Sequence, residues 1–156
     1  MDIFYYLIVK MASRSQGTVS LTNMSYKTYN NIVSWRIKMN IDVDFYELPD
    51  GTEPVREILN SLDIKMRAKM YREIDLLVIN GPELREPHSK HLEDGIFELR
   101  AKQSNDISRV LYFFFIEKKA VLTNGFVKKT KKTPKKEREL AKRYRRDYEM
   151  RHPDGR

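Results

Sequence analysis

The sequence predicts a small α+β domain: an antiparallel-rich sheet of about four strands, with two helices on its N-terminal side and one basic helix at its C-terminal end. Three observations carry that expectation. Alternating or continuous apolar segments occur at 41–45, 96–102, 109–117 and 120–128, each bounded by turn residues. Two helical periodicities lie between the first and second of these, and a third follows the last. With 156 residues, 40% hydrophobic and 11% aromatic, the chain is about one domain long and able to bury a core.

Residues 1–38 open on Phe4, Tyr5 and Tyr6, continue through a Ser/Thr/Asn-rich stretch and show no sustained period. They are expected to be an extension, or a translation-start artefact, ahead of a domain spanning 39–150 and a tail at 151–156. That domain starts with Ile41, Val43 and Phe45 alternating with Asp42 and Asp44, a strand pattern. Asp50-Gly51 marks a turn. Thr52 is the expected cap of a first helix with Pro54 in its first turn, and Val55, Ile58, Leu59 and Leu62 share one face. A second helix is expected from Ser61 or Asp63, burying Ile64, Ala68, Tyr71, Ile74 and Val78 and stopping at Asn80-Gly81-Pro82. A polar loop is expected between Pro87 and Asp94-Gly95. Three strands follow, Ile96–Lys102, Arg109–Glu117 and Ala120–Lys128, the last two joined tightly at Lys118-Lys119 as a hairpin. Val110 to Ile116 is apolar at every position, which predicts a central strand covered on both faces. Thr133-Pro134 is the expected cap of a final helix in which Leu140, Tyr144 and Tyr148 recur every four residues.

Charge is unevenly placed. Residues 1–127 carry 17 Lys+Arg against 17 Asp+Glu, and residues 128–156 carry 13 against 5, the whole of the net +8. Lys128, Lys129, Lys131, Lys132, Lys135 and Lys136 form one dense run, whereas Asp42 to Asp63 holds seven acids against Arg56 alone. A concentrated cationic segment favours a polyanion, because each neutralised phosphate releases counterions. A solvated basic helix is the plainer alternative. The absence of cysteine excludes disulfides, thiolate metal sites and a cysteine nucleophile, and fits a reducing, cytoplasmic setting. The apolar run Ile3 to Val9 is far short of the ~20 residues of a membrane span and follows Asp2 rather than a basic segment, so neither a membrane partner nor a signal peptide is expected.

No Gly-rich phosphate loop, GxSxG or HExxH motif occurs. His88 and His91 sit among Glu86, Glu93 and Asp94, but HxxH without a second ligand pair is a poor metal signature, so no metal and no cofactor are expected. The segment from Glu98 to Lys132 is more informative. Alternation places Glu98, Arg100 and Lys102 on one face of their strand and Phe97, Leu99 and Ala101 toward the core. Arg109 begins the next strand and Lys128 and Lys129 end the third, so a hairpin brings these cations to one sheet rim beside the lysine-rich loop. The alternative is that Glu98 forms an ordinary cross-strand ion pair, worth about 0.2–1 kcal/mol.

Leu92-Glu-Asp-Gly-Ile-Phe-Glu-Leu-Arg100, Ser108-Arg-Val-Leu-Tyr-Phe-Phe-Phe115 and Asn124-Gly-Phe-Val-Lys-Lys-Thr-Lys-Lys-Thr-Pro134 together resemble the RelE/ParE toxin superfamily, in particular its phage-related, HigB-type branch. The resemblance covers about residues 39–150 and rests on the order and spacing of these segments. It implies a RelE-like fold and a type II toxin acting as a ribosome-dependent mRNA endonuclease, an mRNA interferase that inhibits translation by metal-free 2′-hydroxyl attack. The implied partners are a cognate helix-turn-helix, HigA-like antitoxin, mRNA and the ribosome, with operator DNA reached only through the antitoxin. It puts Arg109 at the scissile phosphate, with Arg100, Lys128 and Lys129 as further catalytic residues. A guanidinium suits that place because it holds two phosphate oxygens and keeps its charge. Glu98 or His91 are the alternatives for acid and base, and Lys102, Lys131, Lys132, Lys135 and Lys136 would hold RNA. Beyond the last strand the chain lacks the tyrosine or histidine that some relatives place in the site. A ParE-type inhibitor of DNA gyrase, or a degenerate relative that binds only RNA or antitoxin, are the competing readings. Arg109→Ala is expected to separate them by abolishing a nuclease's toxicity while sparing antitoxin binding.

Overall fold

The computed structural model of the chain describes residues 40–116, 118–128 and 132–153, and of Lys128 the backbone only. The expectations for residues 1–38, Lys129 and Lys131 fall outside the described residues. Among the described residues, five strands form one mixed sheet: β1 Asp42–Phe45, β2 Ser89–Glu93, β3 Ile96–Gln103, β4 Asp106–Phe115 and β5 Lys119–Lys128. Their order is β1-β5-β4-β3-β2. The β2–β3, β3–β4 and β4–β5 pairs are antiparallel, and β1 runs parallel to β5. Three α-helices pack on it: α1 Pro54–Ser61, α2 Ile64–Asn80 and α3 Lys135–Arg151. None of these helices is long and apolar enough to cross a membrane.

The α+β class and the three C-terminal strands agree with the sequence. The segment expected to be a polar loop does not: Ser89–Glu93 is the edge strand β2, paired to β3 through Ser89↔Leu99, Lys90↔Glu98 and His91↔Phe97. An edge strand with one neighbour and an open outer side needs no apolar alternation, so its residues carry no strand signal.

Each face of the sheet buries its own core. On one side Val55 and Leu59 of α1 and Met66, Met70, Ile74 and Leu77 of α2 pack on Leu99, Ala101, Val110, Tyr112, Ala120 and Leu122. On the other, Ala141, Tyr144 and Tyr148 of α3 pack on Ile96, Leu111, Phe113, Phe115 and Val121. Burial on both sides is why β4 is apolar throughout. The stripe expected for α2 holds at Ile74, which is buried, and is corrected at its start: Ile64 is 82% and Tyr71 41% exposed, and Ala68 is also exposed. The helix carries apolar residues on two faces, and the unbranched methionines fill the space above the sheet.

Two of the helix caps differ from the sequence expectation. α1 begins at Glu53 without a side-chain cap, and the Thr52 N–H instead donates to Asp50 Oδ1 at 2.9 Å to close the turn. Asp63 does cap α2, accepting from the Lys65 and Met66 N–H groups. Pro134 precedes α3 with no side-chain cap, because Thr133 is committed elsewhere. Asn124 ties the first turn of α3 to β5, its Nδ2 donating to Glu137 Oε2 at 3.0 Å. Two tyrosines lock α3 across β1: Tyr46 donates to Asp147 Oδ2 at 2.6 Å and Tyr148 to Asp44 Oδ2 at 2.8 Å.

The adjacent Gly125 has a packing reason. A Cβ there would lie 2.7 Å from Ile58 Cγ2 and 3.1 Å from the Arg109 carbonyl oxygen, so α1 seats directly on bare backbone. Gly125→Ala is expected to destabilise the domain by about 1–3 kcal/mol through overpacking. A urea midpoint unchanged from wild type would show that α1 yields freely at this contact.

Candidate active site

The β3–β4 register sets Arg100 directly opposite Arg109 and Lys102 opposite Ile107, while β4–β5 sets Arg109 opposite Phe126 and Ile107 opposite Lys128. The backbone therefore does carry Lys128 to the rim expected from the hairpin, two positions beyond the partner of Arg109. Two arginines facing each other repel. Glu98, one pleat inward on β3, resolves this.

Glu98 is wholly buried and Arg109 is 4% exposed. Arg109 Nη1 donates to both Glu98 oxygens at 2.6 Å and to Thr133 Oγ1 at 2.6 Å. Arg100 Nε donates to Glu98 Oε1 at 2.7 Å, and the Thr133 hydroxyl donates to Oε2. Arg100 then reaches outward to Glu86 Oε2 at 3.2 Å. Glu98 thus does form a cross-strand ion pair, but a buried one, in a different energetic regime from an exposed pair. The carboxylate holds both guanidinium groups in place.

Burial pushes the Glu98 carboxyl upward, but the Thr133 hydroxyl, Arg100 and Arg109 together hold it below the usual glutamate range. It stays ionised at neutral pH, where a base would have to accept a proton, so its surroundings suit a positioning anion. A depressed folded-state value means that its contribution to stability is complete above the unfolded pKa and is lost as pH falls through the folded one. Thr133→Val removes one of its donors and is expected to cost about 1–3 kcal/mol at neutral pH. Because the pKa rises in the variant, its stability gap to wild type should narrow on acidification. A gap independent of pH would contradict this link, and urea titrations at several pH values measure it.

α3 covers the sheet over Ile96, Phe113 and Phe115. Toward the other end, a cleft of about 570 Å³ opens between α2, the turn before β2, and strands β3 and β4. Glu73, Pro87, His88, Arg100, Lys102, Ile107 and Arg109 line it. Every hydrogen bond that Arg109 makes among the described residues runs through Nη1, and Nε is buried without a partner. Among the described residues the Nε/Nη2 edge, the fork that grips two oxygens of a phosphate or carboxylate, is left unused. His88 Nδ1 lies 2.7 Å from Glu73 Oε2 on the cleft wall.

A model of a phage-derived, Gp49-like protein family (DUF891) matches residues 57–146. The chain belongs to the Gp49-like family. This is a RelE/HigB-like toxin family, and a toxin family implies an antitoxin partner in general. No curated protein matches the chain. The matched residues of the Gp49-like domain run from α1 into α3 and include every residue lining the cleft.

The Gp49-like domain gathers only some of the sequence-predicted site. Arg100, Lys102 and Arg109 meet in the cleft. Thr133, by bonding Glu98 and Arg109, ties the basic segment to the cleft; Lys132, Lys135 and Lys136, near it in the chain, are exposed. His91 is a correction. It pairs with Phe97, on the helix-pair face of the sheet, and its ring lies edge-on to Phe97 at 4.9 Å. Alternation along β3 puts Arg100 on the other face from Phe97, and His91 is not among the residues lining the cleft. Glu73 carries no site signal in the sequence, and His88 reads there only as half of a poor metal signature. Thr133 read as a cap, and no sequence spacing links Glu73 on a helix to His88 in a turn 15 residues later.

Proposed function

We propose that this Gp49-like domain is the toxin of a type II toxin–antitoxin pair and cuts translated mRNA on the ribosome without a metal ion. The observation that carries this reading is the edge of Arg109 that makes no hydrogen bond among the described residues, with Nε buried, in a cleft also lined by Arg100, Lys102 and His88. RNA cleavage by the 2′-hydroxyl needs the attacking oxygen aligned with phosphorus and the growing phosphorane charge neutralised. Arg109 and Arg100, preset by Glu98, supply fixed positive charge, which is worth most in a partly dry site. Lys128, the last residue of β5, and Lys129, next in the chain, extend the charge along the phosphate path. Lys102, Lys131, Lys132, Lys135 and Lys136 hold RNA, so ribosome binding falls steeply with salt.

The antitoxin in this reading is a helix-turn-helix, HigA-like protein that links the pair to operator DNA and masks the basic rim by charge and bulk. The functional domain begins near Met39, and the protein works in the cytoplasm, where its mRNA is translated.

The test is to express the chain in bacteria and map RNA 5′ ends across the transcriptome. Growth arrest with new in-frame ends inside coding regions is the expected result. Arrest without new ends would transfer the reading to a protein-binding toxin such as a gyrase inhibitor. No arrest at all would leave a degenerate binding relative.

A further inference from the structure

We infer that His88 is the proton-accepting catalytic residue of this site, with Glu73 as the residue that positions it; the inference rests on the nuclease reading above. The cleft-lining geometry supports the pairing from three separate elements. Glu73, with 13% of its side chain exposed, comes from α2, and His88, with 43%, from the turn leading into β2; the two meet at 2.7 Å. The His88 carbonyl accepts the Arg100 N–H at 2.9 Å, which fixes the histidine's backbone to β3 beside the arginine. The imidazole and both guanidinium groups line one cleft.

The hydrogen bond settles the tautomer. A carboxylate only accepts, so Nδ1 carries the proton and Nε2 of the neutral ring keeps its lone pair. This is the arrangement in which a carboxylate orients a histidine and stabilises the imidazolium formed when it takes a proton. His88 Nε2 takes the proton of the ribose 2′-hydroxyl, and the 2′-oxygen forms its bond to phosphorus. The bond from phosphorus to the 5′-oxygen breaks, with its electron pair leaving on that oxygen, which is protonated by water. The products are a 2′,3′-cyclic phosphate and a 5′-hydroxyl, and the imidazolium returns its proton to solvent. The charged groups around the ring are Glu73 from α2, Arg100 and Lys102 from β3, Arg109 from β4, and Glu86, which pairs with Arg100 and Lys90.

His88→Asn is the decisive variant. Its amide nitrogen can occupy the place of Nδ1 and keep the bond to Glu73, but it has no group to take a proton. Single-turnover cleavage of mRNA on stalled ribosomes is expected to fall by about 100-fold or more, with ribosome affinity and unfolding midpoint unchanged. Wild type is expected to cut faster as pH rises, and that dependence should be missing from the variant. Glu73→Gln should reduce the rate less and displace that rise along the pH axis. His91→Gln, on the other face of the sheet, should cut as wild type does. A wild-type rate for His88→Asn would overturn the inference while leaving the nuclease reading standing, and so would a loss accounted for entirely by weaker ribosome binding. A wild-type chain that cuts nothing would remove the nuclease reading itself, and the inference with it.

Discussion

Arg109→Ala is expected to destabilise the domain by about 3–5 kcal/mol, because it leaves a wholly buried carboxylate short of its closest counter-ion. That is a large share of the ~5–15 kcal/mol that holds a domain folded. Arg100 and Thr133 still bond Glu98 in the variant, which places the loss toward the lower end. Glu98→Ala should cost as much, since two arginines then face each other with no anion between them. Replacing the pair together, as Arg109→Met with Glu98→Leu, should recover most of that stability while leaving the protein inactive, because apolar residues of similar size remove both desolvation penalties. Urea unfolding of the singles and the double measures the coupling. Additive losses would mean that the pair is not the unit described here. Loss of toxicity in Arg109→Ala therefore does not discriminate a nuclease from other toxins, since an unfolded toxin is also harmless.

Arg100→Ala carries the second large effect, on rate. Arg100 is about one-fifth exposed, and Glu98 keeps Arg109 and Thr133 when it is removed. The stability loss should be about 1–2 kcal/mol, close to that of one charge-assisted hydrogen bond. The loss in cleavage should reach about 100- to 1,000-fold, the usual consequence of deleting one fixed donor at a developing oxyanion. Single-turnover rates beside thermal unfolding separate the two. A rate within a few-fold of wild type would place the phosphate elsewhere.

The sequence carried the fold unevenly, for physical reasons visible in particular residues. Strands β3 to β5 were legible because turn residues and side-chain alternation agree there, and the continuous apolar run of β4 announced cover on both faces. Ser89–Glu93 was not legible, because an edge strand with one partner makes no demand on composition. The α2 helix was legible, with Ile74 on its buried face, but the start of that face was not: Ile64 and Tyr71 compete with Met66 and Met70 for the sheet, and only tertiary packing decides between them. In the site, period-2 alternation correctly put Glu98 with Arg100. What it could not reveal is that the far face is also covered, which turns a surface pair into a buried one. The Asn124-Gly125 signature carries structural duties: Asn124 anchors α3 and Gly125 seats α1. His88 stood in the sequence three residues before His91, and only the strand pairing of β2 separates the histidine in the cleft from the one packed on Phe97.

The most direct test of the central claim is primer extension on a reporter mRNA in a translation extract, with the purified protein as wild type and as Arg100→Ala. New in-frame cuts with 5′-hydroxyl ends that require ribosomes and disappear in the variant are expected. Cuts of equal strength in Arg100→Ala, or no cuts while translation proceeds normally, would contradict it.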